Sequence, residues 1–366
     1  MRLKSVELWW RRRWIRLLVR LMRRSGGERP DWGARPYRVL FLRHDRAGDM
    51  VLSTGVMRAI ARSHPTITMD VLASPANAAI IAGADYVHEI VVFDKRATAR
   101  YPATLARLRR GRYDAVIDCM VTAPSVTTLL LILASGARYR VGIAGRGNDA
   151  AFNVTVPGET KAHAHMADLL AALARAFNVE LSPSERRPSL TLTPAELSRA
   201  ERAWGGEREE NRETAPRVLI NVSAGTAERT WPEDNYVAVM RHLRERAADV
   251  VLRVIGAPAE RGRAAYVADN GGGQIVATPG IRDAFALVAT ADFLLTPDTS
   301  IAHAATAFKV PCVAMYVRGK AEQWALYDTI GESVEHSDNT LRTLPVDRVL
   351  RAVDAVWSSA AVSRSS

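Results

Sequence analysis

Short β-rich runs alternate with helical stretches along most of the chain, and this alternation restricts the fold more than any other feature. Arg38–Arg43 (RVLFLR) reads as a strand, Met50–Ser63 as a helix with Val51, Met57 and Ile60 among its apolar positions, and Thr66–Ala73 as the next strand. His88–Phe93, Tyr113–Cys119 and Arg138–Ile143 read as further strands, with helices at Thr98–Arg110, Ser125–Ala134 and Ala162–Phe177. The pattern pauses over the polar, proline-bearing residues 180–216, interrupted by a helix at Pro194–Trp204. It restarts with strands at Arg217–Ser223, Val250–Ile255, Ile275–Ala277, Phe293–Thr296 and Val310–Tyr316. Helices are expected at Pro232–Ala247, Ala259–Asp269, Arg282–Ala289, Ile301–Phe308 and Val346–Ala360. Strands separated by helices make βαβ units and parallel sheets. The expected class is α/β, with one open-sheet domain at 37–180 and a second at 217–345. Between them lie the linker region 181–216 and a cleft, and 346–366 forms a terminal helix and tail.

The chain has 366 residues, enough for about two domains. Hydrophobic residues at 48% and charged residues at 24% exclude a disordered or collagen-like chain. Its two cysteines, Cys119 and Cys312, lie in apolar strand-like runs and read as buried free thiols in a reducing compartment. No apolar run approaches the roughly 18 residues that span a bilayer.

The net charge of +11 is concentrated at one end: residues 1–24 hold nine basic residues and one acidic residue, so the rest of the chain carries only +3. At 100° per residue, Trp10, Trp14, Ile15, Leu17, Leu18, Leu21 and Met22 share one arc. Arg12, Arg13, Arg16, Arg20, Arg23 and Arg24 fill the other, with Arg11 the exception. Such a basic amphipathic helix suits an anionic membrane interface; the competing reading packs its apolar stripe on the protein's own body. Nucleic acid is not an expected partner, because the remaining chain is nearly charge-balanced. Arginines interrupt every potential signal-peptide core. Gly26, Gly27, Pro30 and Gly33 read as a linker, so 1–36 forms a membrane-surface segment and its connection.

In open parallel sheets ligands bind beyond the carboxyl ends of the strands. The loop after Arg43 places Gly48 and Asp49 at a helix start, where Asp49 either caps the helix or serves as a base. The loop Ser223–Pro232 offers Ser223, Gly225, Thr226 and Arg229: hydroxyls, open amides and a cation suited to a diphosphate. After Thr296, Asp298, Thr299 and Ser300 open a helix that carries His303 one turn in, an arrangement that favours an anion. Asp298 would repel phosphate and is read as capping amides or orienting the loop. His303 is equally readable as a core histidine. Glu260, after Gly256, could accept from ribose hydroxyls or be a plain helix-start glutamate. There is no Asp-x-Asp signature for a metal-bound diphosphate. His163 and His165, two apart in a helical pattern, diverge.

Three segments in order, FLRHDRAGDMVLSTGVMRAI, INVSAGTAERTWPEDNY and LLTPDTSIAHAATAFKVPCVAMY, resemble those of the ADP-heptose:lipopolysaccharide heptosyltransferases, glycosyltransferase family 9. The resemblance covers roughly residues 37–330. It implies a GT-B fold of two Rossmann-like domains, the first for the acceptor and the second for the sugar nucleotide. It makes Asp49 the catalytic base. Ser223, Thr226, Arg229, Asp298, Thr299 and His303 become contacts to the nucleotide diphosphate, with Gly225 and Ser300 in the same loops and Glu260 at the ribose. It implies an inverting, metal-independent transfer, of heptose from ADP-heptose, to a glycolipid or oligosaccharide acceptor of the lipopolysaccharide core. The enzyme would then be cytoplasmic and peripheral on the inner membrane face. Arg229 stands where the family often has lysine, Ser300 where it has glycine, and Val317–Lys320 where a Gly-Pro-Thr turn is common, so a different sugar nucleotide is the alternative.

Two further readings compete. An NAD-dependent oxidoreductase needs a GxGxxG turn, and Gly142–Gly147 has the wrong spacing. A membrane-attached nucleotide-binding module without turnover would keep the diphosphate loops and have no use for Asp49 as a base.

Overall fold

The computed structural model describes residues 13–15, 17–20, 22, 29–120, 125–145, 149–158, 164–205 and 215–365. The chain divides into two compact units, Met1–Arg186 and Arg187–Ser366.

The first unit carries β1 (Tyr37–Arg43), α1 (Ala47–Ser63), β2 (Ile67–Ala73), β3 (Glu89–Val92), α2 (Tyr101–Arg110) and β4 (Ala115–Asp118). It continues with α3 (Val126–Ser135), β5 (Tyr139–Ile143), β6 (Val154–Val156), α4 (Met166–Ala171), which runs on as a 3-10 turn, and α5 (Pro183–Arg186). Its sheet has the order β3-β2-β1-β4-β5-β6, and every pairing is parallel. Strands of such a sheet are covered on both faces and read as continuous apolar runs. β1 shows this, with Val39 through Leu42 fully buried.

The second unit carries α6 (Pro194–Trp204), β7 (Arg217–Asn221), α7 (Glu233–Arg246), β8 (Val251–Ile255), α8 (Arg261–Gly271), β9 (Gln274–Ile275), α9 (Ile281–Ala289) and β10 (Phe293–Pro297). It ends with α10 (Ser300–Phe308), β11 (Cys312–Tyr316), α11 (Ala321–Trp324), β12 (Gly331–Glu335) and α12 (Val346–Ser365). The order β12-β11-β10-β7-β8-β9 repeats that of the first sheet. In both sheets chain direction across the sheet reverses beside the first strand, between β1 and β4 and between β7 and β10. Open α/β sheets bind ligands at such switch points.

Two stretches read as linkers make packing contacts. Residues before β1 do not form a free connection, because Trp32 is 1% exposed, stacks on Phe177 at 4.4 Å and donates its indole N–H to Ala176 O at 2.8 Å. An apolar ring of that size drives its own burial. Within 181–216, α6 is tied to the second unit: Thr193 and Glu196 form a capping box, and Arg282 at the start of α9 grips Glu196 at 2.5 and 2.7 Å. That bidentate bond holds the Glu196 carboxyl down at about 2.

The N-terminal segment is helical where it is described, and its apolar arc is divided. Leu18 and Met22 are buried in a cluster shared with α2, α3 and the sheet, with Ile15 and Val19 against it, whereas Trp14 and Leu17 are 51% and 45% exposed. Trp10, Arg12, Arg16, Leu21, Arg23, Arg24, Gly26 and Gly27 lie outside the described residues or their described side chains. Among the described residues no helix is long and apolar enough to cross a membrane. Cys119 and Cys312 are buried free thiols.

Candidate active site

Asp49 is neither N-cap nor loop. Helix α1 begins at Ala47, two residues before Asp49, and Arg46 is the N-cap. The carboxylate therefore sits in the first turn, where the helix dipole favours its charge, with its side chain 11% exposed.

Its surroundings contain a residue that sequence reading passed over. Arg43, the last residue of β1, has a side chain only 2% exposed. It donates to Ser53 Oγ at 2.8 Å and to Asp45 Oδ2 at 3.0 Å, and its Nη1 lies 4.0 Å from Asp49 Oδ1. Ser53 in turn donates to Asp49 O at 2.8 Å. A guanidinium cannot shed its proton, so its burial requires carboxylates around it. Asn77 fixes the strand end from the next loop, donating to Arg43 O at 3.1 Å.

Asp118, the last residue of β4, is the neighbour across the switch point, since Leu42 pairs with Asp118 in the parallel register. Burial pushes its pKa up to about 7, against the pull of Met120 N–H and Arg43. His44 is buried against Phe93, neither ring nitrogen has a hydrogen-bond partner, and burial, with Lys95 and Arg43 nearby, lowers its pKa to about 3. So weak a base cannot compete for a substrate proton at neutral pH.

In the second unit a cavity of about 350 Å³ opens at the β7/β10 switch point. Ser223, Gly225, Glu260, Thr299 and Ser300 line it, together with Asn221, Gly256 and an apolar wall that includes Ile255, Pro279 and Ile281. Asn221 was not foreseen. Its side chain accepts from Ser223 N at 3.1 Å and donates to Thr296 Oγ1 at 2.9 Å and Thr299 Oγ1 at 3.3 Å, joining the two loops. Thr299 is the N-cap of α10, its hydroxyl accepting from Ile301 N. Ser223 Oγ accepts from Ala257 N at 2.6 Å, and Glu260 Oε1 accepts from Ala224 N at 3.2 Å. Arg263, also unforeseen, donates to Val222 O at 3.1 Å and Trp231 O at 2.9 Å and pairs with Glu233. At Gly256 a Cβ would meet Ala264 Cβ at 3.2 Å, so a glycine lets this loop sit on α8.

Arg229 is not an isolated cation. Its Nη1 bonds Asp298 O at 2.9 Å and lies 3.1 Å from Asp298 Oδ2, a carboxylate only 6% exposed. The aspartate that seemed misplaced beside phosphate thus holds the arginine at the mouth of α10. Thr226 is exposed and His303 is 3% exposed, its ring 6.3 Å from Trp324; neither is among the residues lining the cavity, nor are Arg229 and Asp298. His165 caps α4 by accepting from Ala167 N at 3.1 Å, and His163 lies outside the described residues.

Among the described residues one acidic grouping has metal-ligand spacing, Asp70, His88 and Glu89. Its charge is already met by protein cations: Arg38 bonds Asp70 at 2.9 and 2.7 Å, and Arg107 pairs with Glu89.

The sequence model of glycosyltransferase family 9 (heptosyltransferase) matches residues 103–349. The chain belongs to glycosyltransferase family 9. No curated protein matches by sequence. Three solved structures share the fold of this family 9 chain at low identity. A family 9 glycosyltransferase from Veillonella parvula matches with a TM-score of 0.75 and 16% identity, over 89% of this chain and 99% of that one. E. coli heptosyltransferase WaaC with ADP gives 0.69 and 16%, over 87% and 99%. E. coli ADP-heptose lipopolysaccharide heptosyltransferase II gives 0.68 and 17%, over 88% and 99%. The two six-stranded sheets are those of the GT-B glycosyltransferases, and the protein is a glycosyltransferase.

Asp118 yields a pH test. A carboxyl whose pKa is raised on folding, here from 3.8 to about 7, supports the fold fully below its unfolded value and loses that support as pH rises through the folded one. Asp118→Asn is therefore expected to gain stability relative to wild type between about pH 4 and pH 8, at roughly 1.4 kcal/mol for each tenfold difference in proton affinity between the folded and unfolded chain. Thermal denaturation of both proteins at the two pH values measures it; an unchanged difference would contradict a protonated, buried Asp118.

Proposed function

We propose that this family 9 enzyme is an inverting heptosyltransferase that moves heptose from ADP-heptose onto a lipopolysaccharide-core or related glycolipid acceptor. The observation that carries the reading is the β7/β10 cavity, lined by the N-terminus of α10, the Ser223 loop and Glu260, with Asp298, one residue before Thr299, holding Arg229. Open amides at a helix N-terminus and a nearby guanidinium suit a diphosphate. The apolar wall suits a nucleobase and Glu260 a ribose hydroxyl. The related WaaC structure contains ADP, which agrees with an ADP-linked donor.

In this reading Asp49 takes the proton of the acceptor hydroxyl as its oxygen bonds to the anomeric carbon. The bond from that carbon to the diphosphate breaks, and its electron pair leaves with ADP. Arg229 and the α10 amides stabilise the charge that develops on the leaving oxygen. The sequence has no Asp-x-Asp signature, so the leaving group is assigned to these protein groups and no metal is invoked. Thr226, Arg229, Asp298 and His303 lie outside the residues that line the cavity, and their contacts to the donor remain part of the proposal. A glycolipid acceptor brings the enzyme to the cytoplasmic face of the inner membrane, where exposed Trp14 and Leu17 can enter the interface.

Asp49→Asn is expected to bind ADP as wild type does and to lose transfer by about a hundredfold or more. Calorimetry with ADP, and an assay with ADP-heptose and a lipopolysaccharide-core acceptor, separate the two properties. Transfer at the wild-type rate would remove Asp49 from the mechanism. Arg229→Ala should weaken ADP binding by about 1.5–3 kcal/mol. Arg229→Ala with Asp298→Asn should lose less, because the single change strands a buried carboxylate beside the diphosphate. Calorimetry showing no loss in the single variant would remove Arg229 from the site.

A further inference from the structure

We propose that α2 and α3, together with the N-terminal helix, form a docking face for an anionic lipid bilayer, so that membrane contact is made by the body of the first unit and not by residues 1–24 alone. This extends the peripheral-membrane part of the proposed function and rests on that part only.

The three helices cover one face of the first sheet. Leu18 and Met22 from the N-terminal helix, Leu108 from α2 and Leu129, Leu131 and Ile132 from α3 share one buried cluster with Leu40 and Leu42 of β1. Arg140 of β5 reinforces this attachment by donating to Met22 O at 2.9 Å. Their outward sides are unusual in two independent respects.

The first is apolar exposure. Of the nine large hydrophobic residues that are exposed among the described residues, four belong to these helices: Trp14, Leu17, Leu130 and Leu133. Leu130 and Leu133 are three apart on α3, hence on one side of it, at 39% and 48% exposure. Scattered surface leucines need no explanation, but a concentration on adjoining helices marks an interaction site.

The second is charge. Between residues 95 and 113, which contain α2, there are seven basic residues and no carboxylate, and all seven are exposed. Between residues 119 and 148, which contain α3, there is again no carboxylate. Arg109 lies over Gly136 at the end of α3, where a Cβ would collide with its guanidinium, and Arg138 and Arg20 are also exposed. Arg107 is paired with Glu89, and the other like charges so gathered repel one another unless an anionic partner meets them.

Exposed arginines together with exposed leucines and a tryptophan on adjoining helices match the two layers of an anionic membrane surface, headgroup phosphate outside and acyl chain beneath. A nucleic acid would satisfy the arginines and leave Leu130, Leu133 and Leu17 without a partner, so the bilayer accounts for both observations.

The test is co-flotation of the full-length protein with vesicles of phosphatidylglycerol and phosphatidylethanolamine, and with vesicles of phosphatidylcholine alone. Binding is expected to the anionic vesicles, to weaken with salt, and to be absent on the neutral ones. Leu130→Glu with Leu133→Glu should reduce partitioning by about tenfold or more although residues 1–24 are intact. Leu130→Ser with Leu133→Ser serves if the charged pair does not fold, folding being read by thermal denaturation. Tyr266→Glu with Ile275→Glu, exposed residues of the second unit, should leave partitioning unchanged. Wild-type partitioning by a folded α3 variant overturns the proposal, as does equal binding to neutral vesicles. So does loss of duplex-DNA binding by the α3 variant with vesicle binding preserved. None of these readouts involves sugar transfer, so failure here is distinguishable from failure of Asp49 as the base.

Discussion

Both sheets are wholly parallel, and in each the strand order reverses beside the first strand. Everything the protein can do chemically depends on that constraint. A parallel sheet sends all its strand-to-helix loops to one edge, and the reversal leaves a gap between the loops of two neighbouring strands that no crossover helix fills. In the first unit those strands end in Arg43 and Asp118; in the second they lead into Ser223 and Asp298. The candidate chemistry gathers at these two gaps because the topology leaves room there.

The two gaps solve the same electrostatic problem in opposite ways. In the first, one buried guanidinium serves a group of carboxyls: Arg43 bonds Asp45 and approaches Asp49, while Asp118 stays protonated until neutrality is approached. In the second, one buried carboxylate serves a cation: Asp298 holds Arg229 beside the helix terminus that would receive a diphosphate. Each pair orients a functional group with a partner that need not itself touch substrate.

Most of the fold was legible in the sequence because buried parallel strands are short apolar runs, and their spacing by helical stretches leaves few alternatives. The strands that escaped notice were β6 and β12. Each is an edge strand; β6 has three residues, and β12 (GESVE) is half polar because one side of it is solvated. The polar residues of the second switch point were legible as candidates as well, since Ser223 and Thr299 follow closely after strands, and Asp49 could be placed at the start of a helix. Their supports were not. Arg43 and Asp118 look like residues that merely end a strand, and only the β1–β4 register brings them together. Arg229 and Asp298 each appeared in a motif, but 69 positions separate them, and nothing local announces the pair. The basic head was read as one amphipathic stripe, yet its arc is divided: Leu18 and Met22 face the core and Trp14 and Leu17 face outward.

The most direct measurement is a crystal structure of the enzyme with ADP. Diphosphate oxygens within hydrogen-bonding distance of the backbone amides of Thr299 and Ser300, with the ribose beside Glu260, are the expected result. ADP ordered elsewhere, with this cavity empty, would contradict the assignment of the second switch point as the donor site.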